Sequence, residues 1–436
     1  MKKSLLALAT MAVSLTASAT SLQTVYEQAL QNDPQLAAAV ASAQATQESS
    51  SIALGGVGPS LAFVADMYQT STEIDGTTTD SNSHSYGLQF KQPLLNANSW
   101  YTYGAASSQA EAGKIQNKMA YQDLLVRVSE AYFNVLRAQT TLASAKAEEA
   151  AVKRQLEQTE QRFKVGLIAI TDVHEARAVY DGATVTLIAA ESQLDIAYEA
   201  LAQLTGERYD SLDALKADIP MTGPGPADRT LWEQEALSNS LNIQAATKAR
   251  DAAVSNHKAK RADHLPTLDL VASHSISESD TGTYADKEIT TTAVGLELSV
   301  PLFTSGSQYA SSKQAYYERE SAEKDLESAQ RSTLLQVRSY YRQLEADVAR
   351  VKARKQAITS ARSAQDATQT GYEVGTRNIV EVLQAQRSVF AAERDYETAR
   401  YDYVIDLLKF KQAVGLLSPA DLQEVNGWLE ATKVSG

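Results

Sequence analysis

The residues of this chain that could support covalent or metal chemistry do not stand in spacings that complete a site. His174-Glu175 begins like a zinc-protease helix, in which a second histidine one turn on reaches the same metal, but that place is held by Ala178. The segment from Gly371 to Arg377 is glycine-bearing, yet it lacks the Lys-Ser or Lys-Thr that a phosphate loop needs. His257 and His264 lie seven residues apart along an expected helix, which suits two solvent-facing side chains better than a metal pair. The chain has no cysteine, so no disulfide, thiolate ligand or acylated cysteine contributes. No catalytic residue, metal or cofactor is expected.

The patterning of the remaining chain carries more information. The second half repeats the first at an offset of 207 to 209 residues: Leu88, Phe90, Pro93 and Leu94 fall on Leu296, Leu298, Pro301 and Leu302, and Phe163, Val165, Gly166 and Ile170 on Tyr372, Val374, Gly375 and Ile379. A run of coiled coil would match heptads by chance, but not prolines, glycines and strands at one offset.

Each copy has a helical part. Val173, Tyr180, Leu187, Leu194 and Leu201 recur every seven residues, with Ala176, Ala183, Ala190, Ala197 and Leu204 three places later. The second copy runs Val382, Val389, Tyr396, Tyr403 and Phe410, with Ala385, Ala392, Ala399, Asp406 and Ala413 offset likewise. Such a/d seams, large layers alternating with alanine, bring helices close and supercoil them left-handedly. No proline interrupts residues 98–164, so one helix of roughly 100 Å is expected there, with a counterpart from near Ser305 to about Thr370. Asn96 or Asn98, and Ser305, are the expected N-caps, and shorter helices are expected over Leu22 to Ala53 and Leu231 to Ala262.

Each copy also has a strand part. Residues 60–69, 85–92, 267–277 and 292–300 alternate apolar with polar or small residues, the period of strands. Their lengths suit membrane-spanning strands, and polar segments 70–84 and 278–291 read as long loops between them. Tyr68, Tyr86 and Phe90 are candidates for an aromatic girdle. Four strands are too few to close a barrel, and lipid tolerates no open strand edge, so the chain must oligomerise; two, three or four copies would each serve.

Lys2 and Lys3, an apolar stretch from Leu5 to Leu15 and Ala17-Ser18-Ala19 read as a signal peptide over residues 1–19. The whole chain carries 40 basic and 53 acidic residues, which argues against nucleic acid as a partner.

With these features the chain resembles the TolC family of trimeric outer-membrane efflux and secretion channels. The resemblance covers nearly the whole mature chain, including the repeat, the Pro-Leu-Leu and Pro-Leu-Phe strand ends, and the paired segments around Gly166 and Gly375. It implies a mainly α protein with transmembrane β structure: a homotrimeric 12-stranded outer-membrane barrel continuous with a 12-helix periplasmic barrel. It further implies a periplasmic adaptor and an inner-membrane efflux transporter or ABC exporter as partners, with drugs, bile-salt-like detergents or proteins as cargo. The bounds expected are 20–218 for the first repeat, 219–230 for an equatorial linker, 231–414 for the second repeat and 415–436 for a C-terminal equatorial segment. From the helices alone, a periplasm-spanning scaffold anchored by a non-conducting barrel is the alternative.

The resemblance also assigns roles by position. Thr171, Asp172, Tyr372 and Arg377 match residues that latch the tip helices in the closed state, with Arg400 and Gln155 or Gln158 as a weaker pair; the family's acidic partner is here Gln369. Glu381 matches an acidic ring at the periplasmic entrance, and the second ring position, three residues on, is the uncharged Gln384. Gly166 and Gly375 mark the helix-tip turns, where adaptor or pump would dock.

Overall fold

The computed structural model describes residues 20–225 and 228–431; the expected signal peptide, Pro226 and Ala227 of the expected linker, and residues 432–436 lie outside the described residues. In chain order come α1 (Leu22–Asn32), α2 (Pro34–Gly55), β1 (Ser60–Ile74), β2 (Thr77–Leu95), α3 (Ala97–Lys164) and α4 (Ile170–Thr205). A short β3 (Ala214–Leu215) follows, and then α5 (Arg229–Asn239), α6 (Leu241–Ala262), β4 (Thr267–Ser279), β5 (Ile289–Ser299), α7 (Ser307–Glu373) and α8 (Ile379–Val414). The chain closes with α9 (Pro419–Gly427) and β6 (Leu429–Glu430). These elements form two compact units, one from residues 20–37, 120–225, 228–240 and 334–431, the other from 38–119 and 241–333. Each unit draws on both halves of the sequence.

In the second of these units, β1, β2, β4 and β5 form one antiparallel sheet in that order. The register lines Leu61 up with Phe90, Ala272 and Val294, and Phe63 with Leu88 and His274. One face is therefore mainly apolar, and Phe63, Leu88, Val294, Leu296 and Leu298 on it are exposed. The other face carries small and polar residues, among them Ser85, Gly87, Ser273, Ser275 and Glu297, and there Lys91 Nζ meets Asp269 Oδ2 at 2.8 Å. Tyr68 stands on this polar face, opposite to Tyr86 and Phe90, so the three do not form one girdle. The segment 70–84 is not a long loop: strands continue through it to a tight turn at Asp75 and Gly76, both with positive φ. Threonine-rich polar strands retain β-propensity, and Asp-Gly sets a two-residue hairpin turn. Only residues 280–288 form a longer connection.

The long helices are where the sequence places them, with corrected ends. Asn96, rather than Asn98, caps α3, its Oδ1 accepting from the Ser99 amide at 3.1 Å; Asn98 instead donates to the Ala259 carbonyl at 3.1 Å. Ser305 is no cap: it sits at φ 53 in the turn ahead of α7. The helix expected over Leu22 to Ala53 breaks at Asp33-Pro34, because proline has no amide to continue the ladder. Its counterpart breaks at Ser240, between α5 and α6. His264 lies just beyond α6, not along it. Among the described residues no helix is long and apolar enough to cross a membrane.

In the other unit the seam residues Ala176, Ala183, Ala190, Ala197 and Leu201 of α4 are buried, as are Val382, Val389, Ala399, Tyr403 and Phe410 of α8. β3 pairs with β6, and the Tyr132 hydroxyl donates to the Asp213 carbonyl at 2.9 Å. The Tyr403 hydroxyl accepts from the Thr222 amide at 3.2 Å and donates to the Thr222 carbonyl at 2.9 Å. The residues on either side of Pro220 are thus anchored to the helices.

Candidate gate and entrance site

The site is built from the two turns that join α3 to α4 and α7 to α8. At the first, the Gly166 amide donates to the Phe163 carbonyl and the Leu167 amide to the Arg162 carbonyl, each at 2.9 Å. At the second, the Gly375 amide donates to the Tyr372 carbonyl at 3.1 Å and the Thr376 amide to the Gly371 carbonyl at 2.8 Å. Gly166 and Gly375 have φ of 76° and 80°, with nothing near the place of a Cβ, so conformation and not space demands glycine.

After the second turn Asn378 caps α8, its side chain accepting from the Glu381 amide at 2.9 Å while Glu381 Oε1 accepts from the Asn378 amide at 3.4 Å. This reciprocal box follows from Asn-x-x-Glu, a capping signal present in the sequence. Glu381 Oε2 also receives Arg377 Nη1 at 2.6 Å. Hydrogen bonds from Arg377 and from the Asn378 amide hold the Glu381 carboxyl below the usual carboxylate range. A latch candidate and the ring candidate thus share one ion pair within the chain, between the residue ahead of the α8 N-cap and the first turn of α8.

Tyr372 packs against a core of Val152, Leu156, Ala176, Ile379, Val382 and Leu383. The Arg162 guanidinium lies 4.9 Å from the centroid of its ring, a cation–π contact that spacing alone could not reveal. Among the described residues the Tyr372 hydroxyl is buried without a hydrogen-bond partner. Gln155, Gln158, Arg162, Gln369 and Tyr372 line one groove of about 600 Å³. Gln369 donates to Glu373 Oε1 at 3.0 Å, and Gln384 is exposed.

Thr171 and Asp172 lie in the first turn of α4, where a carboxylate suits the helix dipole. Among the described residues their side chains make no hydrogen bond or ion pair to Tyr372 or Arg377 of the same chain. Arg400 is placed differently from its expected pairing with Gln155 or Gln158. It is 2% exposed, reaches Glu397 Oε2 at 2.6 Å and the Lys216 carbonyl, and lies 5.6 Å from the Tyr396 ring centroid. Gln155 lies between Val152 and Leu156 of the tip core, whereas Arg400 is about 26 Å farther along α8 than Leu383 at 1.5 Å per residue.

A sheet apolar on one face, two helices of 68 and 67 residues and paired helix-tip turns fit a mainly helical, membrane-associated class of protein. The Outer membrane efflux protein family matches residues 25–207 and 232–416, and the chain belongs to that family. Outer membrane protein TolC of Vibrio cholerae serotype O1 is 37% identical over 423 residues, 95% of either chain. Alkaline protease secretion protein AprF of Pseudomonas aeruginosa is 30% identical over 410 residues, 92% of this chain and 85% of that one. The crystal structure of the Campylobacter jejuni CmeC outer membrane channel superposes with a TM-score of 0.78 at 17% identity, over 94% of this chain and 90% of that one. The protein resides in the outer membrane with a periplasmic portion, and its relatives are channel and secretion proteins rather than enzymes.

Proposed function

We propose that the chain assembles as a homotrimer whose three sheets close into one 12-stranded barrel and whose helices form a 12-helix periplasmic duct. That duct is the outer-membrane exit for efflux and for type I secretion, fed by an inner-membrane transporter or ABC exporter through a periplasmic adaptor. The observation that carries the reading is the sheet: β1 and β5 are its outer strands, paired on one side only, while its apolar face is exposed. In lipid each unpaired strand edge costs several kcal/mol per orphaned group, and about eight strands are the fewest that close, so one chain cannot be the unit.

The recurrence of helices of 11, 22, about 68 and 36 residues in both halves supports duplication, with repeats over 20–218 and 231–414 and equatorial segments over 219–230 and 415–436. Thr171, Asp172, Tyr372 and Arg377 act as a latch between neighbouring chains, which agrees with the unpartnered Tyr372 hydroxyl and the exposed Arg377. Glu381, with Gln384 uncharged beside it, forms a single acidic ring at the entrance, and the turns at Gly166 and Gly375 dock the partners. Native mass spectrometry of the detergent-extracted protein tests the assembly: a mass of three chains is expected, and a monomer or dimer retaining the fold would refute it.

A further inference from the structure

The large-and-alanine seam of α8 has one irregular layer, where Asp406 stands in the alanine series. Opposite it on α7 is Asp347, which is 0% exposed. Asp347 Oδ1 accepts from Gln343 at 3.1 Å and from Arg350 at 2.9 Å, while Oδ2 is buried and meets no donor among the described residues. The Asp406 carboxyl lies within hydrogen-bonding reach of Asp347, yet two carboxylates have no donor to offer each other unless one is protonated.

The surrounding charges are committed elsewhere. On α3, Arg137 Nη2 meets Asp402 Oδ1 of α8 at 2.5 Å, and Glu130 Oε1 meets Lys409 Nζ of α8 at 2.5 Å. Tyr340 of α7 adds only a weak influence on Lys409. Glu130, Asp347, Asp402 and Asp406 are therefore matched against only Arg137, Arg350 and Lys409, which leaves one negative charge in excess. Glu130, Arg137, Arg350, Asp402, Asp406 and Lys409 border a cavity of about 360 Å³, while Asp347 lies buried and does not line it. An excess charge in partly desolvated surroundings is relieved by taking up one proton.

We propose that Asp347 and Asp406 hold one proton between them and so make the contact of α7 with α8 a proton-dependent clamp. Burial pushes the Asp347 carboxyl up to about 6, the neighbouring Asp406 charge adds to this, and Arg350 opposes it. Because the folded value is raised, the proton's contribution is complete below the ordinary aspartate range and is lost as pH rises through about 6. Acid tightens the two helices, and neutral pH loosens them. The proton site stands on this geometry alone; only its effect on flow through the duct rests on the proposed function.

Infrared spectra of the full-length purified protein, titrated from about pH 4 to 8, read the carboxyl directly. Apart from Asp213, whose carboxyl burial also raises and whose signal is identified with Asp213→Asn, one protonated carboxyl per chain is expected to titrate near pH 6 and to vanish in both Asp347→Asn and Asp406→Asn. Hydrogen exchange in the α7 segment around Asp347, corrected for intrinsic rates, is expected to speed up about tenfold across the same range. Asp347→Asn should flatten that dependence, because its amide supplies a permanent donor to Asp406. No carboxyl other than Asp213 titrating above the ordinary range, or a further band that survives both substitutions, would overturn the proposal. If the Asp347 or the Asp406 variant fails to fold, the titration of wild type beside Asp213→Asn still decides. Single-channel behaviour is not consulted, so a failure here is distinct from a failure of the duct reading.

Discussion

Replacing Asp33 separates two effects at the break between α1 and α2. Its Oδ2 accepts from the Leu36 amide at 2.9 Å, which caps α2, and from Arg127 Nη2 at 2.8 Å, with the Asp33 side chain 3% exposed. Asn at this position keeps the cap, since Asn and Asp serve equally there, but removes the charge. A hydrogen bond to a charged group contributes about 1.5–3 kcal/mol and a cap about 1 kcal/mol. Asp33→Asn should therefore cost about 1.5–3 kcal/mol, and Asp33→Ala about 1 kcal/mol more. For Asp33→Asn the full loss of up to about 5 kcal/mol, typical of a broken buried pair, is not expected, because Arg127 Nε keeps Asp123 at 2.8 Å.

Burial alone would push the Asp33 carboxyl up, but hydrogen bonds from Arg127 and from the Leu36 amide outweigh it and hold it below the ordinary range. With a depressed folded value, its contribution is present above the ordinary Asp value and is lost as pH falls through the folded one. The assay is guanidinium unfolding at neutral pH of wild type, both Asp33 variants, Arg127→Met and the double mutants. A coupling energy between Asp33 and Arg127 of about 1–2 kcal/mol is expected. Equal stability of the Asn and Ala variants would refute the cap, and zero coupling would refute the pair.

At the tip, Asp172→Ala should raise conductance while leaving the trimer intact, since the residue makes no bond to the latch within its own chain and the seams are untouched. Unchanged conductance would sink its latch role. Glu381→Gln should weaken block by divalent or trivalent cations, read as current against added cation; Asn378→Ala, which removes the cap but keeps the charge, should leave block in place. Equal block in Glu381→Gln would put the cation site elsewhere.

Much of the architecture was legible because periodicity is set by what a face must bury. The alanine layers of α4 follow from close helix packing, and the alternation of Leu61, Phe63 and Leu88 with Ala62, Gly87 and Gln89 follows from the period-two geometry of a strand with one apolar face. The breaks at Asp33 and Ser240 were hidden because the apolar pattern runs on through them, although Pro34 was a visible signal. The segment 70–84 was misread because polarity suggests loop, whereas its threonines and the Asp75-Gly76 turn favour a hairpin. At the site, the positions came from resemblance to a family, and the contacts did not. Arg377 pairing with Glu381, Arg162 over Tyr372 and the burial of Arg400 all depend on side-chain directions across helices, which spacing does not encode. Asp406 was visible as an irregular seam residue, but its partner Asp347, 59 positions earlier, was not.

Single-channel current in a planar bilayer, wild type beside Arg377→Ser, tests the gated conducting duct most directly. The expected result is a small, cation-favouring current from the wild-type trimer that grows in the variant. Folded trimers that pass no current in either form would contradict it, and would favour an anchored scaffold without a lumen.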